Sequence, residues 1–187
     1  IACLVGSEMC IRDRINIGKT ELIHFVGIGG IGMSGLALIM DSLGFKIQGS
    51  DKSDNKNLNL LRKRKIPIYL NHNKQNIKNC TVLVVSSAIK KSNPEYRHAK
   101  KLNLPTYKRG ELLGHIVSLM KNIVVTGSHG KTTTTSILSN ILNYAKLDPT
   151  IINGGVLNSI GSSAKLGKSD WSLVESDESD GSFLQIP

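Results

Sequence analysis

The sequence predicts an α/β protein made of two successive modules. Three observations carry this. An apolar run at residues 21–26 breaks into a glycine-rich turn and then into a stretch with helical apolar spacing. A second unit of the same kind begins at residue 121. Between the two, short β-branched runs alternate with polar helical stretches, the pattern of parallel strands joined by crossover helices.

In the first module, residues 21–26 form a buried strand that ends at glycine. Gly27-Ile28-Gly29-Gly30-Ile31-Gly32 follows, then a helix over 33–40. A glycine turn between strand and helix is the context a dinucleotide fingerprint requires. Gly27 permits the tight turn, Gly29 lets a diphosphate approach the backbone, and Gly32 lets the helix pack close on the strand. The helix N-terminus offers N–H groups and a positive dipole end to phosphate. A second strand over 45–50 runs into Asp51, 24 residues after Gly27, where a ribose-binding carboxylate is expected. A polar helical stretch at 57–65 leads to a third strand at 66–69. The run 80–85 is a buried parallel strand, with Cys80 a core residue. It opens into Ser86 and Ser87, two hydroxyls at the carboxyl end of a central strand, where open α/β sheets bind ligands. A helix starts at Pro94-Glu95, and 104–107 is a last edge strand. Residues 20–117 therefore read as a Rossmann-like domain. By itself the glycine fingerprint suggests NAD, although the same turn serves any diphosphate.

In the second module, a buried strand at 121–126 enters Gly127-Ser128-His129-Gly130-Lys131-Thr132-Thr133-Thr134-Thr135, and an amphipathic helix covers 136–142. Strand, glycine loop, Gly-Lys-Thr and helix form a P-loop-type arrangement. Backbone N–H groups cradle phosphates, Lys131 reaches the terminal phosphates, and the Thr132 hydroxyl can ligate Mg²⁺. The loop is shorter than the usual one. Residues 170–174 form another strand, which ends at Glu175-Ser176-Asp177-Glu178-Ser179-Asp180. Carboxylates clustered at a strand end beside a phosphate loop suit a hard cation, with Glu175 or a neighbour holding the metal. A further strand is possible near 150–152.

Composition narrows the function classes. Apolar residues make up 40% of the 187, which excludes a disordered chain. No run of 18 apolar residues exists, so no membrane span is expected. Three cysteines cannot build a disulfide framework and fit no zinc spacing, so a reducing cytoplasmic setting is expected. The net charge of +10 lies entirely in residues 1–120, mostly as scattered lysine. With aromatics at 4%, a stacking platform for nucleic acid is not expected, and the lysines read as a solvated face. Residues 1–14 fit no signal peptide and resemble translated adapter read-through, so residues 1–19 are set aside as a non-native leader. The end at Pro187 follows the acidic cluster abruptly and reads as a fragment boundary.

Taken together, the glycine turn through Ala37, Gly49-Ser50-Asp51, Ser86-Ser87-Ala88-Ile89, Lys108-Arg109-Gly110-Glu111-Leu112-Leu113, the loop 127–135 and the acidic cluster resemble the Mur ligases of peptidoglycan synthesis. The shortened phosphate loop is that family's own form. The resemblance implies a first domain (20–117) that binds the UDP part of a sugar nucleotide, not NAD. It implies a second (from 120) that binds ATP and Mg²⁺, and a third, beyond this sequence, that binds an amino acid. It implies ATP-driven amide formation between UDP-N-acetylmuramate and L-alanine through an acyl phosphate, with Lys131 and Mg²⁺ neutralising charge on the transferred phosphoryl group. Two other readings remain at this point: a ligase that recycles a whole tripeptide onto the same sugar nucleotide, and an NAD-dependent oxidoreductase. Ser128 stands where the family usually has Thr, Ser163 where it has Asn, and Gly110 where Ala is commoner.

Overall fold

The computed structural model describes residues 17, 18, 20–118, 120–157 and 162–176. The leader assigned to residues 1–19 falls almost wholly outside them, although Ile17 packs on the main core. The first sheet is built from β1 (Leu22–Val26), β2 (Lys46–Asp51), β3 (Ile68–Leu70), β4 (Val82–Val85) and β5 (Thr106–Lys108). Its order is β3-β2-β1-β4-β5 and every pair is parallel. The order reverses between β1 and β4, so a crevice opens at the carboxyl ends of these strands.

Period-two alternation sorts the side chains onto two faces. Ile23 and Phe25 of β1, Ile47 of β2, and Val82 and Val84 of β4 join one core with α1 (Ile31–Ser42), α2 (Lys56–Lys63) and α4 (Arg109–Ser118). Val26, Leu83 and Val85 point the other way, onto α3 (Pro94–Lys101) and a 3₁₀ turn at Lys74–Ile77. That second face also carries His24 of β1 and Gln48 and Ser50 of β2, and all three are buried. Asn93 caps α3 by accepting from the N–H groups of Glu95 and Tyr96, and Pro94 fills the first turn, where no N–H partner is needed.

The second sheet holds β6 (Lys121–Val125), β7 (Thr150–Leu157), β8 (Ser162–Lys165) and β9 (Trp171–Glu175), in the order β6-β9-β7-β8. β6, β9 and β7 are parallel, and β8 runs antiparallel to β7. The possible strand near 150–152 is thus real and longer, while β8, α4 and the 3₁₀ turn had no counterpart in the sequence reading. Ile151 and Leu173 face α5 (Lys131–Tyr144), packing with Leu138 and Leu142. Ile152, Ala164 and Val174 face the opposite way and join the first module's core.

That opposite cover is α1. Its buried residues include Met33, Ser34, Gly35, Leu36, Ala37, Ile39 and Met40, so apolar positions run around most of the helix. A helix that is apolar nearly all round belongs inside a protein, and α1 lies between the two sheets. Gly35 makes the approach possible. A Cβ there would stand 2.7 Å from Ser163 Oγ and 2.9 Å from the Ala164 methyl. Ser163 Oγ donates to the Ile31 carbonyl at 2.8 Å, tying β8 to the start of α1.

Candidate nucleotide and metal sites

The glycine turn sits at the carboxyl end of β1. Gly27 has φ +81°, and the N–H groups of Gly27 and Ile28 both donate to the Ser50 carbonyl. Ile28 is fully buried, whereas Gly30 and Ile31 are exposed at the mouth of α1. No side chain caps α1, and its first turn carries no acidic residue. Asp51 lies beside the turn and accepts from the Gly29 N–H at 2.8 Å. Asn57 and Asn55 donate to the Gly29 carbonyl at 2.8 and 3.3 Å. Gly29 is therefore held on both sides, and a Cβ on it would meet Asn55 Nδ2 at 2.6 Å and Asp51 Oδ2 at 2.9 Å.

Gly32 has a neighbour that the sequence reading did not foresee. A Cβ there would strike Arg109 Nη1 at 2.7 Å, so this glycine admits the α4 arginine. Ser86 packs against Gly27, with its Cβ 3.2 Å from where a Gly27 side chain would begin, and Ser87 is exposed beside it.

A cavity of about 530 Å³ opens beyond β2, β3 and β4. Its lining includes Lys52, Asn71, His72, Ile89, Lys90 and Asn93. Of this lining the sequence reading had named Ala88 and Ile89, in the run after β4, and Pro94, at the start of α3; it missed the rest. Lys52 and His72 lie in loops that carry no motif; their one signal is position, two and three residues beyond the end of a predicted strand. Two lysines at the rim favour an anionic ligand.

In the second module the loop between β6 and α5 carries Gly127 with φ +143° and Gly130 with φ +74° as the N-cap of α5. Both values favour glycine. Gly130 has no side chain with which to cap the helix, so the first N–H groups of α5 face the loop. Lys131 folds back so that Nζ donates to the Gly127 carbonyl at 2.6 Å. Ser128, His129 and Thr133 are exposed around the loop. β6 pairs with β9 in a register that sets Val125 opposite Glu175. This brings Glu175 over the start of α5, where Thr132 Oγ1 lies 3.1 and 3.2 Å from its two carboxylate oxygens. A hydroxyl and a carboxylate are hard oxygen donors, and they fit a Mg²⁺ ion that takes its remaining partners from phosphate and water. Asp177, Glu178 and Asp180 lie outside the described residues. Among the described residues, no group of three or more His, Cys, Asp or Glu side chains is arranged to hold a metal ion, and no helix is long and apolar enough to cross a membrane.

Fold and sites together define an α/β protein with two glycine loops, each at the carboxyl end of a parallel strand and each opening a helix. The chain belongs to the Mur ligase family: residues 22–121 match the model described as Mur ligase family, catalytic domain. It is 66% identical over 174 residues to the UDP-N-acetylmuramate–L-alanine ligase of Pelagibacter ubique (strain HTCC1062), covering 93% of this chain and 38% of that protein. The crystal structure of the UDP-N-acetylmuramate–alanine ligase from Thermotoga maritima superposes with a TM-score of 0.80 at 33% identity, over 85% of this chain and 37% of that one. The UDP-N-acetylmuramate:L-alanyl-γ-D-glutamyl-meso-diaminopimelate ligase from Neisseria meningitides gives 0.79 at 30% identity, over 84% and 53%. The chain thus spans less than half the length of the curated relative it matches.

Proposed function

We propose that this chain is the sugar-nucleotide- and ATP-binding portion of a UDP-N-acetylmuramate–L-alanine ligase. The observation that carries the reading is the meeting of Thr132 and Glu175 beside Lys131 at the start of α5. An oxidoreductase built on the first glycine turn has no use for that arrangement. The 66% identity to an alanine ligase supports alanine as the second substrate. The comparable superposition on a tripeptide ligase supports that enzyme as the second reading.

In this reading residues 20–117 take uridine diphosphate at the Gly27–Gly32 turn, with Asp51, Ser86 and Ser87 around it. Residues from 120 onward take the triphosphate in the Gly127–Thr133 loop, in a cytoplasmic setting. When bound, ATP would supply the phosphoryl group that activates the substrate carboxylate, and Mg²⁺ would offset the phosphate charge. The chain's own part is to position and to neutralise charge. Lys131 would exchange its Gly127 carbonyl partner for phosphate oxygens, the α5 N–H groups would hold the phosphate, and Thr132 and Glu175 would hold the metal.

Calorimetry on the 187-residue chain tests this. Lys131→Ala removes a charged donor, worth about 1.5–3 kcal/mol, so Mg²⁺-ATP affinity should fall about tenfold to a hundredfold. Uridine diphosphate affinity should stay within about twofold, because its site lies on the other sheet. Unchanged ATP affinity in Lys131→Ala would overturn the assignment.

A further inference from the structure

The polar cluster on the second face of the first sheet lies directly behind the cavity. Glu95 is fully buried on α3 and accepts from four groups. Ser50 Oγ and His72 Nδ1 approach Oε2 at 2.6 and 3.1 Å, and Asn76 Nδ2 and the Asn73 N–H approach Oε1 at 2.6 and 3.3 Å. His24 Nε2 stands 3.6 Å from Oε1 and 3.4 Å from Ser50 Oγ. Burial alone would raise the Glu95 pKa; the His24 ring facing it and the hydrogen bonds from Ser50 and Asn76 outweigh it and hold the group below the ordinary carboxylate value.

The proton positions follow by elimination. Gln48 Nε2 donates to the Asn76 carbonyl, which can only accept, so its second hydrogen points to His24 Nδ1 at 3.1 Å. His24 therefore carries its proton on Nε2, facing Ser50 and Glu95. The ionised Glu95 takes the Ser50 hydroxyl hydrogen, which leaves the Ser50 oxygen able only to accept towards His72 Nδ1, 2.9 Å away. An unprotonated Nδ1 would set a lone pair against both oxygens. His72 Nδ1 therefore bears the hydrogen, and in the neutral ring Nε2 keeps a lone pair. Among the described residues Nε2 has no partner in the protein, while the His72 residue lines the cavity.

The geometry points to Glu95 as a positioning residue that fixes the tautomer of His72, so that the cavity receives a hydrogen-bond acceptor matched to an N–H or O–H donor on the nucleoside half of the ligand. This rests on the uridine diphosphate reading given above. It adds that a group outside the cavity sets the polarity of the cavity wall. Glu95→Gln should reverse that polarity. The new amide –NH₂ cannot face the Asn73 N–H, which is a fixed donor, so it turns to the Ser50 side. Ser50 then accepts from the amide and donates to His72 Nδ1, and the His72 proton moves to Nε2.

The test has two readouts. Nitrogen-15 NMR of the unaltered chain should show His72 as the Nδ1–H tautomer, and Glu95→Gln should show it as Nε2–H. An Nε2–H tautomer in the unaltered chain overturns the proposal whether or not the variant folds. Calorimetry should then show uridine diphosphate binding about tenfold weaker in Glu95→Gln. With cytidine diphosphate, whose ring N3 accepts where uracil donates, an undiminished affinity in the variant identifies the ring N–H as the donor; an equal tenfold loss identifies a ribose hydroxyl. A tautomer that reverses with no change in affinity for either nucleotide refutes the recognition role. Failure of the unaltered chain to bind uridine diphosphate refutes the function reading, while the NMR result stands separately.

Discussion

Replacing Gly35 with Ala sets two opposing effects against each other, and the geometry decides between them. Alanine in a helix interior is favoured over glycine by ~1 kcal/mol. Against this, the new methyl would lie 2.7 Å from Ser163 Oγ and 2.9 Å from the Ala164 Cβ, both closer than carbon contacts allow. Ser163 can yield only by leaving its 2.8 Å bond to the Ile31 carbonyl, which costs ~1 kcal/mol. Ala164 is buried on β8 beside β7 and yields only with the strand, an overpacking cost of ~1–3 kcal/mol. The net loss is ~1–3 kcal/mol, and at ~2–4 °C per kcal/mol for a chain of this size Tm should fall by about 2–12 °C. Thermal unfolding followed by circular dichroism measures this. The double variant with Ser163→Ala should recover part of the loss, since coupled neighbours are non-additive by ~0.5–3 kcal/mol. A Tm that rises in Gly35→Ala would show that helix propensity dominates and that α1 and β8 do not pack this closely.

Two more outcomes follow from the same coordinates. Gly29→Val would drive a branched side chain into Asn55 and Asp51, displacing the carboxylate from the Gly29 N–H; uridine diphosphate binding should fall more than tenfold in calorimetry, and unchanged affinity in a folded variant would remove the turn from the site. The Cys80 thiol, 6% exposed at the foot of β4, is pushed from 9.0 up to about 11 by burial first and the Glu95 charge second. Its protonated form is favoured by the fold, so its contribution to stability is complete below pH 9 and fades as pH rises through 11; with Cys3 and Cys10 replaced by Ser, thiol titration at pH 8 should be slow until denaturant is added, and fast labelling of the native chain would contradict the buried placement.

What the sequence made legible was whatever repeats a local rule. Both glycine loops, the strands that feed them and the helices that follow can be read from periodicity within about ten residues. Thr132 and Glu175 were legible as separate candidates for one metal, with Glu175 not told apart from its acidic neighbours; the contact between them comes from the pairing of β6 with β9. The rest depended on distance. Gly32 and Gly35 look alike on one helix, yet one makes room for Arg109 and the other for β8, and no local pattern distinguishes them. β8 is short, polar and follows glycines, so it carries no strand signature; antiparallel pairing with β7 creates it. The Glu95 cluster was hidden because its members come from four separate segments. A clue was available: His24 interrupts an apolar run, and Gln48 and Ser50 share one face of a strand expected to be buried, where an unpartnered polar group would be costly.

The placement of α1 between the sheets also bears on how the chain is made. Its bond from Ser163 to the Ile31 carbonyl joins residues 132 positions apart. At translation rates of ~5–20 residues per second, the partner for Gly35 emerges about 7–26 s after the helix itself. During that interval the first five strands can already have formed their sheet, leaving the flank of α1 that later receives Ile152 and Ala164 uncovered on the ribosome. A growing polypeptide in that condition presents an apolar, glycine-notched ridge to the surrounding solution, and slower codons between 120 and 165 would lengthen its exposure to holdase chaperones.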